Sequence, residues 1–313
     1  MLARRLLALS LLLVSSAGVA KKLYKYQDAE GNWYFTDQAP ASNQPAEVRQ
    51  LKAASPKRVW LEKTTDQLRP SFFALNAYPG PIELAVDWRE RENVSANPDL
   101  PRRFVVESGQ SDSLFSLIPN ERAGSYSVNL QYSYVIGRPL PGYVSQTLYK
   151  PPLPAGGQFQ ITQAFNGPYS HNDQQNRYAV DIMMPVDTPI YAARGGIVLE
   201  VENDYTGNGT SQAYADKANS IRILHEDGSM AIYAHLALEK SQVTPGIRVA
   251  TGQLIGYSGN TGLTTGPHLH FAVQINRGME LISVPFQFAD AAGLAVEPQL
   301  GLWLYGPMPA IGN

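Results

Sequence analysis

Between residues 125 and 134 polar and apolar side chains alternate: Ser125, Ser127, Asn129, Gln131 and Ser133 interleave with Tyr126, Val128, Leu130, Tyr132 and Tyr134. That period of two predicts a strand with one face buried and one wet. Ile82, Leu84 and Val86 repeat it, so residues 71–137 read as a small antiparallel β domain whose tyrosine face packs into a core. From Phe159 onward, strand and turn signals alternate at short spacing. Strands are expected at 160–162, 178–183, 196–201, 220–224, 229–235, 253–257 and 268–274, with almost no helical period anywhere. The polar stretch 203–219, with Gly207, Asn208 and Gly209, predicts a long loop walling a groove, with one helical turn near 213–217.

Upstream, residues 21–38 hold two aromatic-rich strand candidates around Asp28, Gly31 and Asn32, which predicts a β-hairpin module. Residues 39–69 are rich in Ala, Pro, Ser, Gln and Lys with no sustained period and read as a linker. The prolines between Arg138 and Gly157 predict a stiff connector. The expected architecture is mainly β: a signal segment over 1–20, hairpin module and linker over 21–70, antiparallel β domain with its connector over 71–152, and a C-terminal antiparallel β domain with a tail over 153–313.

Residues 1–20 change the compartment expected for this chain. Arg4 and Arg5 precede an apolar run from Leu6 to Val14 and then small residues ending at Ala20, the three regions of a cleavable export signal. Localisation is therefore expected to be periplasmic. Later segments fall short of the ~18 apolar residues a membrane span requires, so no span is expected in the mature chain. Cleavage removes two arginines and no acids, moving the formal charge from −2 to −4, which speaks against a nucleic-acid partner. Cysteine is absent, so an exported form gains nothing from disulfides and depends on its core and any metal.

All five histidines, His171, His225, His235, His268 and His270, fall after residue 170. His268 and His270 stand two apart on a predicted strand and so point into one cleft, directly after the Gly/Thr-rich turn 258–266. Two surface histidines would give the same pattern. Asp181, however, lies among the apolar residues Ala179, Val180, Ile182 and Met183, where an unpaired carboxylate is costly to bury. Two imidazoles and a carboxylate suit zinc and leave a coordination position for water.

The runs Tyr178-Ala179-Val180-Asp181, Tyr191 to Val198, Ile223 to Gly228, Tyr233-Ala234-His235-Leu236, Gly246 to Gly262 and Gly266-Pro267-His268-Leu269-His270-Phe271 follow one another in an order that resembles the lysostaphin- or LytM-type zinc metallopeptidases. The resemblance covers about residues 158–287. It implies a lysostaphin-type antiparallel β catalytic domain with Zn2+ as cofactor, acting on peptide bonds of peptidoglycan, with other cell-wall hydrolases as possible partners. It further implies Asp181 and His270 as metal ligands, His235 and His268 as the catalytic histidines beside the reacting water, and His225 as structural. Residues 21–38 resemble a short N-terminal domain of unknown function common in exported proteobacterial proteins, which implies no activity.

One position departs from that pattern. Four residues before Asp181, where the resemblance calls for a histidine ligand, stands Arg177, which cannot coordinate a metal. The substitute is His171, ten residues before Asp181. An extended path of that length reaches about 33 Å, so the polar segment 172–176 must loop back to deliver the imidazole. Two other readings stay open at this stage: a metal-free cell-wall binding protein that activates a separate amidase, favoured by Arg177, and a small-molecule metalloenzyme with the same ligands.

Overall fold

The structure is a computed structural model that describes residues 21–27, 33–36, 45, 47–51, 57–66, 69–120 and 125–308. The export signal, the expected turn at 28–32 and part of the expected linker lie outside the described residues. Contacts divide the chain into residues 1–57 and 58–313. No α-helix occurs among the described residues, and no helix is long and apolar enough to cross a membrane.

In the first unit Lys21–Gln27 pairs antiparallel with Trp33–Thr36, the expected hairpin, and on its other edge with Glu47–Leu51. That third strand, and Val59–Lys63 in the second unit, fall inside the stretch read as linker. The apolar run Val59-Trp60-Leu61 is too short to show a period, yet Val59 is buried because Ser71–Asn76 pairs alongside it.

In the second unit, residues 58–137 form two small sheets. One runs Val59–Lys63, Ser71–Asn76, Phe115–Pro119, Val94–Asn97, and the other runs Ser127–Ile136, Ile82–Glu92, Arg102–Val106. Tyr126, Val128, Leu130, Tyr132 and Tyr134 pack together against this core, as their alternation requires. Leu199, Leu224, Met230 and Leu281 join the same cluster, so this β layer is packed on part of the large sheet that follows.

That sheet is antiparallel along its path: Arg248–Val249, Gly196–Glu202, Ser220–Leu224, Met230–Ala234, His268–Asn276, Val180–Met183, Gln158–Gln163 and Trp303–Tyr305. Its pleat decides which residues meet. Leu269, Phe271, Val273 and Ile275 enter the core with Val180, Ile182, Ile221, Ile223, Ala231 and Tyr233. Each large apolar side chain so buried contributes roughly 1.5–3 kcal/mol. Slipping a strand by one residue would expose that set, so the same burial fixes Asp181, His268 and His270 on the opposite face.

Candidate metal centre

Register places the first two groups. Asp181 and His270 are direct partners across neighbouring strands, and Ala234 pairs with His270 from the other side. Met183 pairs with His268, one step along the same face. His235, just past Met230–Ala234, has a left-handed backbone with φ 61°, uncommon for a residue with a Cβ. Its ring lies 4.5 Å from that of His268 and 5.8 Å from that of His270, centroid to centroid. Gly259 permits this turn: a Cβ there would sit 2.5 Å from the Leu236 carbonyl carbon, where Gly259 N–H donates to the His235 carbonyl at 2.9 Å.

His171 arrives through a tight loop. Its N–H donates to the Gly167 carbonyl at 3.0 Å, and the buried ring lies 5.2 Å from that of His270. The structure therefore brings together His171, Asp181 and His270, with His235 and His268 beside them. Arg177 is exposed and is not among the residues lining the groove. His225 is buried elsewhere, donating from Nδ1 to the Gly195 carbonyl at 2.8 Å and meeting Tyr149 edge-on.

Hydrogen-bond partners identify which nitrogens carry hydrogens. His171 Nδ1 faces the Ala164 carbonyl at 2.8 Å, so it donates there and leaves Nε2 with a lone pair. His270 Nε2 faces Asn176 Oδ1 at 3.2 Å; the Asn176 amide nitrogen donates to Asp173 Oδ2 at 2.7 Å, so Oδ1 accepts and His270 Nδ1 keeps its lone pair. Both lone-pair nitrogens then point at Asp181 Oδ1, at 3.2 Å from His171 and 2.9 Å from His270. Three electron-rich atoms converge with no hydrogen between them. A proton relieves only one of these contacts, whereas a divalent cation among them relieves all. The separations match the roughly 3.3 Å between donors on a tetrahedral zinc.

His235 and His268 follow the same rule. Nδ1 of His235 donates to the Thr261 carbonyl at 2.6 Å and Nδ1 of His268 to that of Gly266 at 2.8 Å, which leaves each Nε2 unprotonated. His268 Nε2 lies 3.6 Å from Asp181 Oδ1. Burial, reinforced by the neighbouring imidazoles, pushes His235 down to about 3, and burial also lowers His268. Burial pushes the Asp181 carboxyl up; only imidazoles that carry a proton toward it, His171 or His270, outweigh that and hold it well below the usual carboxylate range.

Several supporting residues escaped the sequence reading. Gln163 Nε2 donates to Asp181 Oδ2 at 2.8 Å, fixing the carboxylate so that Oδ1 faces the imidazoles. Gly167 makes room for this, since a Cβ there would meet Gln163 Cγ at 2.3 Å. Asp173 and Asn176 orient His270. Such outer contacts set ring orientation and ligand basicity. The only signal available was polarity, because pairing of Gln163 with Asp181 depends on a register irregularity between Ile161 and Gln163.

The cluster lies in a groove of about 630 Å3. Residues 169–176 form one wall, and residues 212–218 with 263–265 the other. The long polar loop thus walls the groove as expected, with its helical turn a 3-10 segment at Gln212–Tyr214.

Residues 175–280 match the model described as Peptidase family M23, and residues 10–58 match Domain of unknown function (DUF4124). The M23 match takes in Asp181, His235, His268 and His270 but begins after His171. The chain is 37% identical over 120 residues to the glycyl-glycine endopeptidase ALE-1 of Staphylococcus capitis, covering 38% of this chain and 30% of that protein. It is 40% identical over 92 residues to the peptidoglycan DD-endopeptidase ShyA of Vibrio cholerae, covering 29% and 18% respectively. Both matches thus span less than a third of those relatives. Among solved structures, the catalytic domain of lysostaphin from Staphylococcus simulans matches at 28% identity over 38% of this chain and 80% of that one, with a TM-score of 0.28. Residues 175–280 of this chain form a peptidase family M23 domain.

Proposed function

We propose that the chain is an exported, zinc-dependent endopeptidase that hydrolyses peptide bonds in the stem or cross-link peptides of peptidoglycan. The convergence of His171 Nε2, Asp181 Oδ1 and His270 Nδ1 without an intervening hydrogen carries this reading. The M23 match and the peptidoglycan-directed names of its relatives support the substrate class. The outward position of Arg177 supports the enzyme over a metal-free regulator, whose main observation was that arginine.

His171, Asp181 and His270 would hold the zinc, which when bound would supply Lewis acidity toward the scissile carbonyl and the reacting water. His235 and His268 present unprotonated Nε2 atoms, so either accepts a proton from the attacking water. The N–H so formed can donate to the developing oxyanion or deliver its proton to the leaving amine. Thr261 and Gly266 carbonyls keep both rings aimed throughout. Residues 1–20 serve in this proposal as a signal for export to the periplasm, with 21–70, 71–152 and 153–313 as the successive modules.

The test is metal analysis of purified residues 21–313 together with digestion of purified sacculi. About one zinc per chain and new peptide amino termini are expected. Protein that stays metal-free in added zinc would return the metal-free regulator to first place, and release of intact stem peptides from glycan would indicate amidase chemistry.

A further inference from the structure

The groove floor extends beyond the histidine cluster. Ser220, Ala234, His270 and Asp181 form one row across four strands, and Arg222, Ile232 and Ala272 form the next. At 4.8 Å between strands and 3.4 Å per residue, the Arg222 and His270 backbones stand about 12 Å apart, with only small or apolar side chains between them.

Among the described residues lining the groove, Arg222 is the one arginine or lysine, and it is 8% exposed. Its Nε donates to Glu200 Oε2 at 3.0 Å and its Nη1 to Gln274 Oε1. Gln274 is itself held by the Gln175 carbonyl at 2.8 Å, on the same loop that presents Asn176 to His270. The guanidinium is thus fixed on two sides, and Arg222 is at the same time part of the groove lining. A purely structural ion pair with Glu200 needs no place in that lining.

We propose that Arg222 is a substrate-positioning residue that binds a free carboxylate on the peptide, about three residues from the bond held at the histidine cluster. The inference rests on the peptidase reading above. An extended peptide advances about 3.4 Å per residue, which gives the spacing. Glu200 and Gln274 preorganise the fork that a carboxylate accepts from. Asp173, Glu202 and Asp216 also line the groove, so a substrate carboxylate is favoured at Arg222 and disfavoured elsewhere. The contact therefore sets the register of the peptide rather than attracting anions in general.

The experiment uses the mature chain and synthetic stem peptides in three forms: both carboxylates free, the side-chain carboxylate amidated, and the C-terminal carboxylate amidated. The parent should prefer the free acid by about 10- to 100-fold in kcat/KM, carried by KM, and the amidated form that loses this preference identifies which carboxylate is bound. Arg222→Gln should erase the preference and Arg222→Lys should keep part of it, with kcat nearly unchanged in both. Arg222→Gln with Glu200→Gln guards against misfolding from an unpaired Glu200. If the parent cleaves none of the peptides, the peptidase reading fails, and calorimetric affinities for the same three peptides still decide the carboxylate contact. Equal affinity or turnover for acid and amide in the parent, or an unchanged preference in Arg222→Gln, overturns the proposal.

Discussion

Two carboxylates are buried at opposite ends of the His268–Asn276 strand, and their surroundings differ in kind. Glu83, from the β layer, accepts from Asn276 Nδ2 at 3.0 Å and from Met279 N–H at 2.6 Å, with Arg103 Nη1 at 3.8 Å. Asp181 accepts from Gln163 on one oxygen, while its other oxygen meets lone-pair nitrogens. Glu83 is satisfied by the chain alone and fastens one layer to another. Asp181 is left incomplete by an otherwise well-bonded neighbourhood, and that incompleteness marks a site rather than a joint.

The largest effects should fall on Asp181 and its partners. Asp181→Ala is expected to reduce zinc content from about one per chain to near zero and to abolish hydrolysis. His171→Ala should weaken zinc by more than about 100-fold, beyond the 10- to 100-fold typical of an outer contact. Arg177→Ala should leave affinity equal or higher. Competition with a fluorescent chelator measures all three. Unchanged affinity in His171→Ala would remove the third ligand and with it the contrast with Glu83.

His268→Ala sharpens the comparison from the side of catalysis. The variant should retain about one zinc while kcat falls roughly 10²- to 10⁴-fold, the range for a removed acid–base group. Loss of zinc in folded His268→Ala protein would make that residue a ligand instead.

The period-two patterns made the sheets legible because burial of alternate residues is a local consequence of the pleat. Leu269 and Phe271 going inward forces His268 and His270 outward, which a reader of the sequence can follow unaided. Asp181 was legible for the opposite reason, as a charge among apolar neighbours. Gln163, Gly167 and Asn176 were not, since their positions depend on pairing between segments with an irregular register and on a loop closing over the strand. The strands Glu47–Leu51 and Val59–Lys63 were missed because five residues beside lysine and proline carry too little pattern to compete with composition.

His225 tests whether a buried, partnerless nitrogen always marks chemistry. Its Nε2 lacks a partner, whereas the nitrogens facing Asp181 converge on a carboxylate oxygen. Burial holds its pKa down to about 4 against 6.5 for the exposed group. The unfolded chain therefore binds the extra proton first. Stability linked to this histidine is fully present above pH 6.5, declines as pH falls, and is lost below about 4, amounting to about 3 kcal/mol. His225→Gln can still donate to the Gly195 carbonyl but does not titrate. Denaturant titrations from pH 7 to 4 should show the stability advantage of the parent over the variant shrinking across that window, with zinc content equal in both. A constant difference would mean that His225 takes up its proton as readily in the folded chain as in the unfolded one, so that burial does not hold its pKa down.

The smallest effect should come from Glu83→Gln, which tests the satisfied end of the comparison. The substitution keeps one acceptor oxygen for Asn276 and the Met279 N–H and removes the charge, so it weakens charge-assisted hydrogen bonds without emptying the space. The difference between charged and neutral hydrogen bonds sets the expected loss at about 1 kcal/mol. Arg103 adds little, because its side chain is 60% exposed and its contact is long. Urea titration should register that loss while zinc affinity and turnover remain at parental values, since no residue in the Glu83 contact reaches the histidine cluster. A fall in zinc affinity or activity at unchanged folding would show that the two ends of the strand are coupled and that the fastening of the β layer helps to hold the metal ligands in place.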